Sequence, residues 1–194
     1  MTTAAITPKP RKRPAARLPQ KMTAAKFPRF RPEDGYKYEW VNGQIQKTPR
    51  SMTPEQQYIV HNLQRRFAQT EAYRAGADLV VETDSTMQLG NIRRPDISLM
   101  TAPQRKAAAF GVVYCPAFAI EVISENDHIN KVVEKLDEYF RSGVQVVWHI
   151  FPKFQRVNIY HSPKKVQVME GEDICSAAPV VPDFNIAAAD IFKI

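Results

Sequence analysis

Two carboxylates stand where a folded chain rarely leaves them. Asp96 opens the apolar run Ile97–Met100 in "NIRRPDISLM", directly after Pro95 and two arginines. Glu121 sits inside "FAIEVIS", residues 118–124, with apolar neighbours on both strand parities. Such a run predicts a strand covered on both faces. An ionised, unpaired carboxylate there costs about several kcal/mol even after relaxation. It needs a cationic partner, a raised pKa or a metal ion. If Asp96 and Glu121 lie on neighbouring strands, they can share one divalent cation. The four histidines form no H-x-x-x-H pair and the two cysteines no C-x-x-C. Hard oxygen ligands therefore suit Mg²⁺ or Mn²⁺ better than zinc. Blander readings stay open: Asp96 as a solvated strand start, and Glu121 in a structural ion pair with Arg93 or Arg94. Glu39, in "KYEWVNG", read alone is an exposed strand glutamate. Lys135, four residues before Tyr139, read alone is a solvated helix lysine.

The elements that must position these groups follow from local patterns. "YKYEWVNGQIQKT" holds two β-prone runs around Asn42-Gly43, the pair favoured in a tight type I′ hairpin. "TPEQQYIVHNLQRRFAQTEAYR" predicts one helix, with Thr53 as N-cap, Pro54 at its first position and Gln56 completing a capping box. Ile59, Val60, Leu63 and Phe67 form its apolar face, and Gly76 lies past its end. "DLVVET", "STMQL", "PDISLM" and "AFAIEVIS" read as short strands. "DHINKVVEKLDEYFRSG" predicts a second helix with Val132, Leu136, Tyr139 and Phe140 inward and Gly143 as its stop. "VQVVWHIF", "RVNIYH" and "KKVQVME" predict further strands, and "DFNIAAADIFKI" a closing strand or helical turn. The order predicts an α/β domain, a mixed sheet flanked by helices.

Length and composition suit one such domain with a tail: 194 residues, 44% hydrophobic, 24% charged. No apolar run approaches a membrane span, and no secretory h-region opens the chain. Two unpaired thiols fit a reducing compartment, so a cytoplasmic protein is expected. The net charge of +7 is uneven. Residues 1–32 hold nine of the 27 basic residues and none of the 20 acidic ones, so residues 33–194 carry 18 basic and 20 acidic groups. The same segment holds six of the 15 prolines. Residues 1–32 are expected to be a disordered basic tail and residues 33–194 the folded domain. A nucleic-acid-binding arm, a transit peptide and an inert extension all remain open for the tail.

Taken in order, "YEWVNGQI", "RRPDISLM", "AFAIEVIS" and "EKLDEYFRSGVQVVWHIFP" resemble the restriction-endonuclease family of the Uma-two type, within the PD-(D/E)XK nuclease superfamily. The resemblance covers about residues 33–190. It is most specific in E-V-x-S, K-x-x-x-Y, G-V and the following tryptophan. It implies a restriction endonuclease-like core and Mg²⁺- or Mn²⁺-dependent hydrolysis of DNA phosphodiester bonds, with a homodimer as a possible state. Residue by residue, Asp96 matches the aspartate of the "PD" half-motif and Glu121 the acid of the second half-motif. These two would be the metal ligands. Glu39 matches the glutamate of the early "YE" element. The lysine expected two residues after the acid is replaced by Ile123, and Lys135 matches the helix lysine that serves in its place. The chain departs from the family at Gln56, where a histidine is common, at Glu125, where a proline commonly follows the E-V-x-S motif, and at Lys131, where an aspartate is common. The Gln56 and Lys131 departures favour the alternative, a catalytically inactive module that binds nucleic acid or protein.

Overall fold

The computed structural model describes residues 22–30, 32–49 and 54–194. The expected cap at Thr53, and most of the basic segment, lie outside them. The Asn-Gly pair makes the hairpin it predicts: strands β1 (Tyr36–Val41) and β2 (Gln44–Pro49) meet at Asn42 and Gly43, both with positive φ. Helix α1 (Pro54–Phe67) follows, then a one-turn helix α2 (Glu71–Arg74). One continuous helix was the expectation, and Thr70 breaks it. Its hydroxyl donates to the Phe67 carbonyl and accepts the Tyr73 amide, so it ends one helix and caps the next.

Strands β3 (Asp78–Val81), β4 (Ser85–Thr86), β5 (Ile92–Arg93) and β6 (Ile97–Met100) come next. They precede a short helix α3 (Ala102–Ala108), which Thr101 and Gln104 close with a reciprocal capping box. Strand β7 (Phe118–Val122), helix α4 (Ile129–Arg141) and strand β8 (Val146–Phe151) form a crossover unit. The chain ends with β9 (Arg156–Ser162), β10 (Lys165–Glu170), β11 (Ile174–Ala177), β12 (Val181–Ala187) and helix α5 (Ala188–Ile191).

The main sheet has the order β10-β9-β8-β7-β6-β3. Only β7 and β8 pair in parallel, as their helical crossover requires, so the sheet is mixed. A second sheet runs β2-β1-β5-β4, and β11 pairs with β12. This is the expected α/β architecture of sheets flanked by helices. No helix among the described residues is long and apolar enough to cross a membrane.

Strand alternation divides the main sheet cleanly. Phe118, Ile120 and Val122 of β7, with Val146, Trp148 and Ile150 of β8, face α1, β12 and α5 in the larger core. Phe184 stacks on Trp148 with centroids 5.5 Å apart. Ala119 and Val147 point to the other face and pack under Leu136 and Tyr139 of α4.

The domain begins earlier than the boundary at residue 32 that composition suggests. Phe27 is fully buried with Tyr38, Trp40 and Ile92, and Met22, Ala24 and Phe30 pack around them. The Arg94 guanidinium lies 5.3 Å above the Phe27 ring. One aromatic side chain in a basic, proline-rich stretch is enough to anchor it, because a buried ring contributes about 1.5–3 kcal/mol.

Candidate active site

On the α4 face, the register aligns polar side chains in one row across the sheet. Ile97 pairs with Ile120 in the antiparallel β6–β7 ladder, so the next position outward sets Asp96 opposite Glu121. Glu121 in turn pairs with His149, and His149 with Asn158. Asp96 is fixed by the backbone on both sides. Its carbonyl accepts the Glu82 amide at 3.1 Å, and its carboxylate Oδ2 accepts the Val122 amide at 2.8 Å. Pro95, just before it, has no amide of its own to satisfy.

Helix α4 lays Lys135 and Tyr139, one turn apart, over Glu121. The Lys135 ammonium is 2.9 Å from the Glu121 carboxylate, and the Tyr139 hydroxyl donates to Glu121 Oε1 at 2.5 Å. Strand β1 closes the site from the other sheet. Tyr38 and Trp40 turn into the small core, so Lys37 and Glu39 share the opposite face. Glu39 accepts the Arg94 amide at 2.8 Å and the Arg93 guanidinium at 3.1 Å, and lies 3.4 Å from Lys135. Lys37 donates to Asp96 Oδ1 at 2.7 Å.

Glu39, Asp96, Glu121 and Lys135, four residues singled out by sequence, thus meet in one place. Sequence reading missed Lys37. Its signal was its position two residues before Glu39, on the same face of a strand. Glu121 does not pair with Arg93 or Arg94, the arginines that a purely structural ion pair would use. Arg93 is taken up by Glu138 and Glu39, and Arg94 by Asp84.

Electrostatics separate the three acids. Burial opposes ionisation of Glu39, but Lys135, Lys37, Arg93 and the Arg94 amide outweigh it and hold Glu39 down to about 2. Burial is outweighed at Asp96 as well, by Lys37, Lys135 and the Val122 amide, and its pKa is lowered. At Glu121 burial prevails, reinforced by the negative charge of Asp96, and its pKa is raised. Lys37 is held charged, against burial, by Asp96, Glu121 and Glu39. Three carboxylates face two ammonium groups, so the cluster is net negative and its donors to a cation are all oxygen. Among the described residues no three acid, histidine or cysteine side chains form a metal cage. Mg²⁺ does not need one: it is usually held by one or two carboxylates together with water and substrate phosphate. Asp96 and Glu121 fit that pattern, provided that Lys37 and Lys135 yield their places.

His149, next in the row, is 3% exposed, with its ring 4.9 Å from that of Tyr160. Burial, aided by Lys135, pushes its pKa down to about 4. A histidine kept neutral by the fold stabilises fully above its unfolded pKa of about 6.5. That contribution is lost progressively as pH falls from about 6.5 to 4, by ~3 kcal/mol in all. Denaturant unfolding at pH 7 and pH 4 checks this. His149→Gln should lose markedly less stability than wild type across the interval, and parallel losses would exclude His149 as the cause.

No curated protein matches the chain. A crystal structure described as a "putative nuclease belonging to DUF820" from Anabaena variabilis superposes with a TM-score of 0.72 at 17% identity, covering 88% of this chain and 97% of that one. It shows the fold. A family model described as "Uma2: Putative restriction endonuclease" matches residues 24–189, a span that includes the Phe27 anchor and the whole carboxylate cluster. The chain belongs to the Uma2 family.

Proposed function

We propose that this protein is a metal-dependent nuclease that hydrolyses DNA phosphodiester bonds at the Asp96–Glu121 cluster. The single observation behind this reading is the convergence of Glu39 of β1, Asp96 at the entry to β6 and Glu121 of β7 on Lys135 and Lys37. A core built only for stability gains little from such an arrangement, since buried ion pairs are often replaced by apolar residues at no loss.

Asp96 and Glu121 are the residues that would hold the Mg²⁺ or Mn²⁺ ion. When bound, that ion supplies Lewis-acid polarisation of a phosphoryl oxygen and a more acidic water. The chain's own groups do the rest. The Val122 amide and the Tyr139 hydroxyl fix the directions of the Asp96 and Glu121 carboxylates. Glu39, anchored by Arg93 and the Arg94 amide, holds Lys135 at the cluster. Lys135 and Lys37, once released from their carboxylates, present ammonium groups to negative charge growing on the phosphate. Preformed charge of this kind, already desolvated, stabilises a transition state far better than it would in water.

The test combines two measurements. Wild-type protein should nick supercoiled plasmid with Mg²⁺ or Mn²⁺ and stop when a chelator is added. Calorimetric titration with Mn²⁺ should give binding that Asp96→Asn weakens by more than about tenfold. A second reading draws on the ammonium groups that already neutralise Asp96 and Glu121. On that reading the protein is a non-catalytic binding module, and it predicts DNA binding with neither Mn²⁺ uptake nor nicking.

A further inference from the structure

Behind the carboxylate cluster, on the far side of Arg93, a cleft of about 230 Å³ opens between the β1–β2 hairpin and helix α4. Arg93 is the wall between the two. Its guanidinium reaches Glu39 on the cluster side and Glu138 on the cleft side, at 3.1 and 2.6 Å. The cleft floor is therefore charge-compensated, and Asn91 adds a hydrogen bond to Glu138 at 2.5 Å.

The rim is different. Lys131 and Arg141, at the two ends of α4, line the cleft, and their side chains make no hydrogen bond or ion pair among the described residues. Glu134 lies between them, so the rim keeps a net positive charge. Gln46 and Gln88 supply amide groups, each with donors and an acceptor.

Leu89 completes the lip. It is 94% exposed and has φ of +61°, a left-handed conformation unfavourable for leucine. The turn is nonetheless pinned, since the Gln88 amide donates to Ser142 Oγ at the end of α4 at 2.9 Å. A strained, anchored turn that offers a bare leucine to solvent is the sort of feature that strain sustains at binding sites.

Pockets for drug-sized molecules run to about 300–1,000 Å³. A smaller cleft suits one planar group. An apolar lip, amides able to match a base edge and cations for a backbone are together the requirements of a nucleotide. We propose that the cleft receives a nucleotide flanking the scissile phosphate, its base against Leu89 and the Gln46 and Gln88 amides, with Lys131 and Arg141, about 15 Å apart along α4, each facing a different phosphate of the strand. The proposal rests on the nuclease reading and deepens it. It also gives the lysine at position 131 a use, in holding a phosphate.

Fluorescence anisotropy with labelled single-stranded DNA tests it in the full chain, so that the basic N-terminal segment is constant. A Glu121→Gln background keeps the oligonucleotide intact. Adding Lys131→Glu and Arg141→Glu should raise Kd at least tenfold. It should also flatten the dependence of log K on log salt by about 0.7 for each phosphate no longer neutralised. Gln46→Ala should leave that slope alone and reduce discrimination among homopolymeric strands. Unchanged Kd and slope in the charge-reversed protein overturn the cleft assignment while the nuclease reading stands. Failure of the Glu121→Gln parent and of wild type to bind any DNA overturns both.

Discussion

Glu121→Gln is expected to abolish metal-dependent nicking and to leave the protein folded. The first half follows from what the carboxylate does. Partners that only orient metal ligands typically cost 10–100-fold on mutation. Loss of one of two proposed ligands should exceed about 100-fold, with Mn²⁺ affinity falling in parallel. The second half follows from its environment. Burial and the neighbouring Asp96 charge raise the Glu121 pKa, so its ionised form is held at a cost. A neutral amide of the same shape removes that cost. Its one amide oxygen still accepts from Tyr139, while its NH2 group faces Lys135, which is left with Glu39 at 3.4 Å. Stability at pH 7 should change little, the relieved burial of charge offsetting the lost attraction to Lys135. A raised carboxyl pKa penalises the fold only where the group is ionised, so the penalty that the variant relieves disappears as pH falls through the Glu121 pKa. Plasmid nicking and urea unfolding of the same preparations check both halves. Nicking within tenfold of wild type would falsify the role given to Glu121. A large fall in stability would show that its charge serves the fold.

Some of this site is written locally in the sequence and some is not. The Glu121 strand is legible because its neighbours are apolar on both parities, and the hairpin because Asn42 and Gly43 both accept positive φ. The capping box that starts α3 was equally local, in Thr101 and Gln104, yet seven residues of helix in a mixed stretch raised no periodic signal. The strand β11 is short and half exposed, and hid for the same reason. Registers are another matter. That Asp96 faces Glu121 depends on how β6 slides against β7, which no window on either strand contains. Lys37 was missed because period two says that it shares a face with Glu39, but not which face of the hairpin meets the main sheet. Phe27 was hidden by composition: charge and proline dominate an average, while a single ring decides the packing.

Glu138 is the clearest case of a residue with no local signal, and it leads to the largest stability effect expected here. By helical spacing it looks like one more solvated charge on α4, yet it is 7% exposed. Its partner is 45 residues away. Arg93, 8% exposed, donates through Nε at 2.7 Å and reaches Glu39 with its other arm. Arg93→Ala leaves Glu138 buried with Asn91 as its remaining hydrogen bond and removes one anchor of Glu39. Breaking a buried pair from one side costs about 3–5 kcal/mol. Domains of this size are stable by only about 5–15 kcal/mol, so Tm should fall by roughly 10 °C. The exposed pair Lys153–Glu125 is the control: both side chains are about two-thirds solvated, and Lys153→Ala should cost under about 1 kcal/mol. If the cost of Arg93→Ala comes from an orphaned charge rather than from the attraction removed, removing the other partner should relieve it. The double variant Arg93→Ala, Glu138→Leu is then expected to recover at least half of the stability. Additive effects in that double-mutant cycle would mean that the two residues act separately, and that the bridge between cluster and cleft is not a coupled unit.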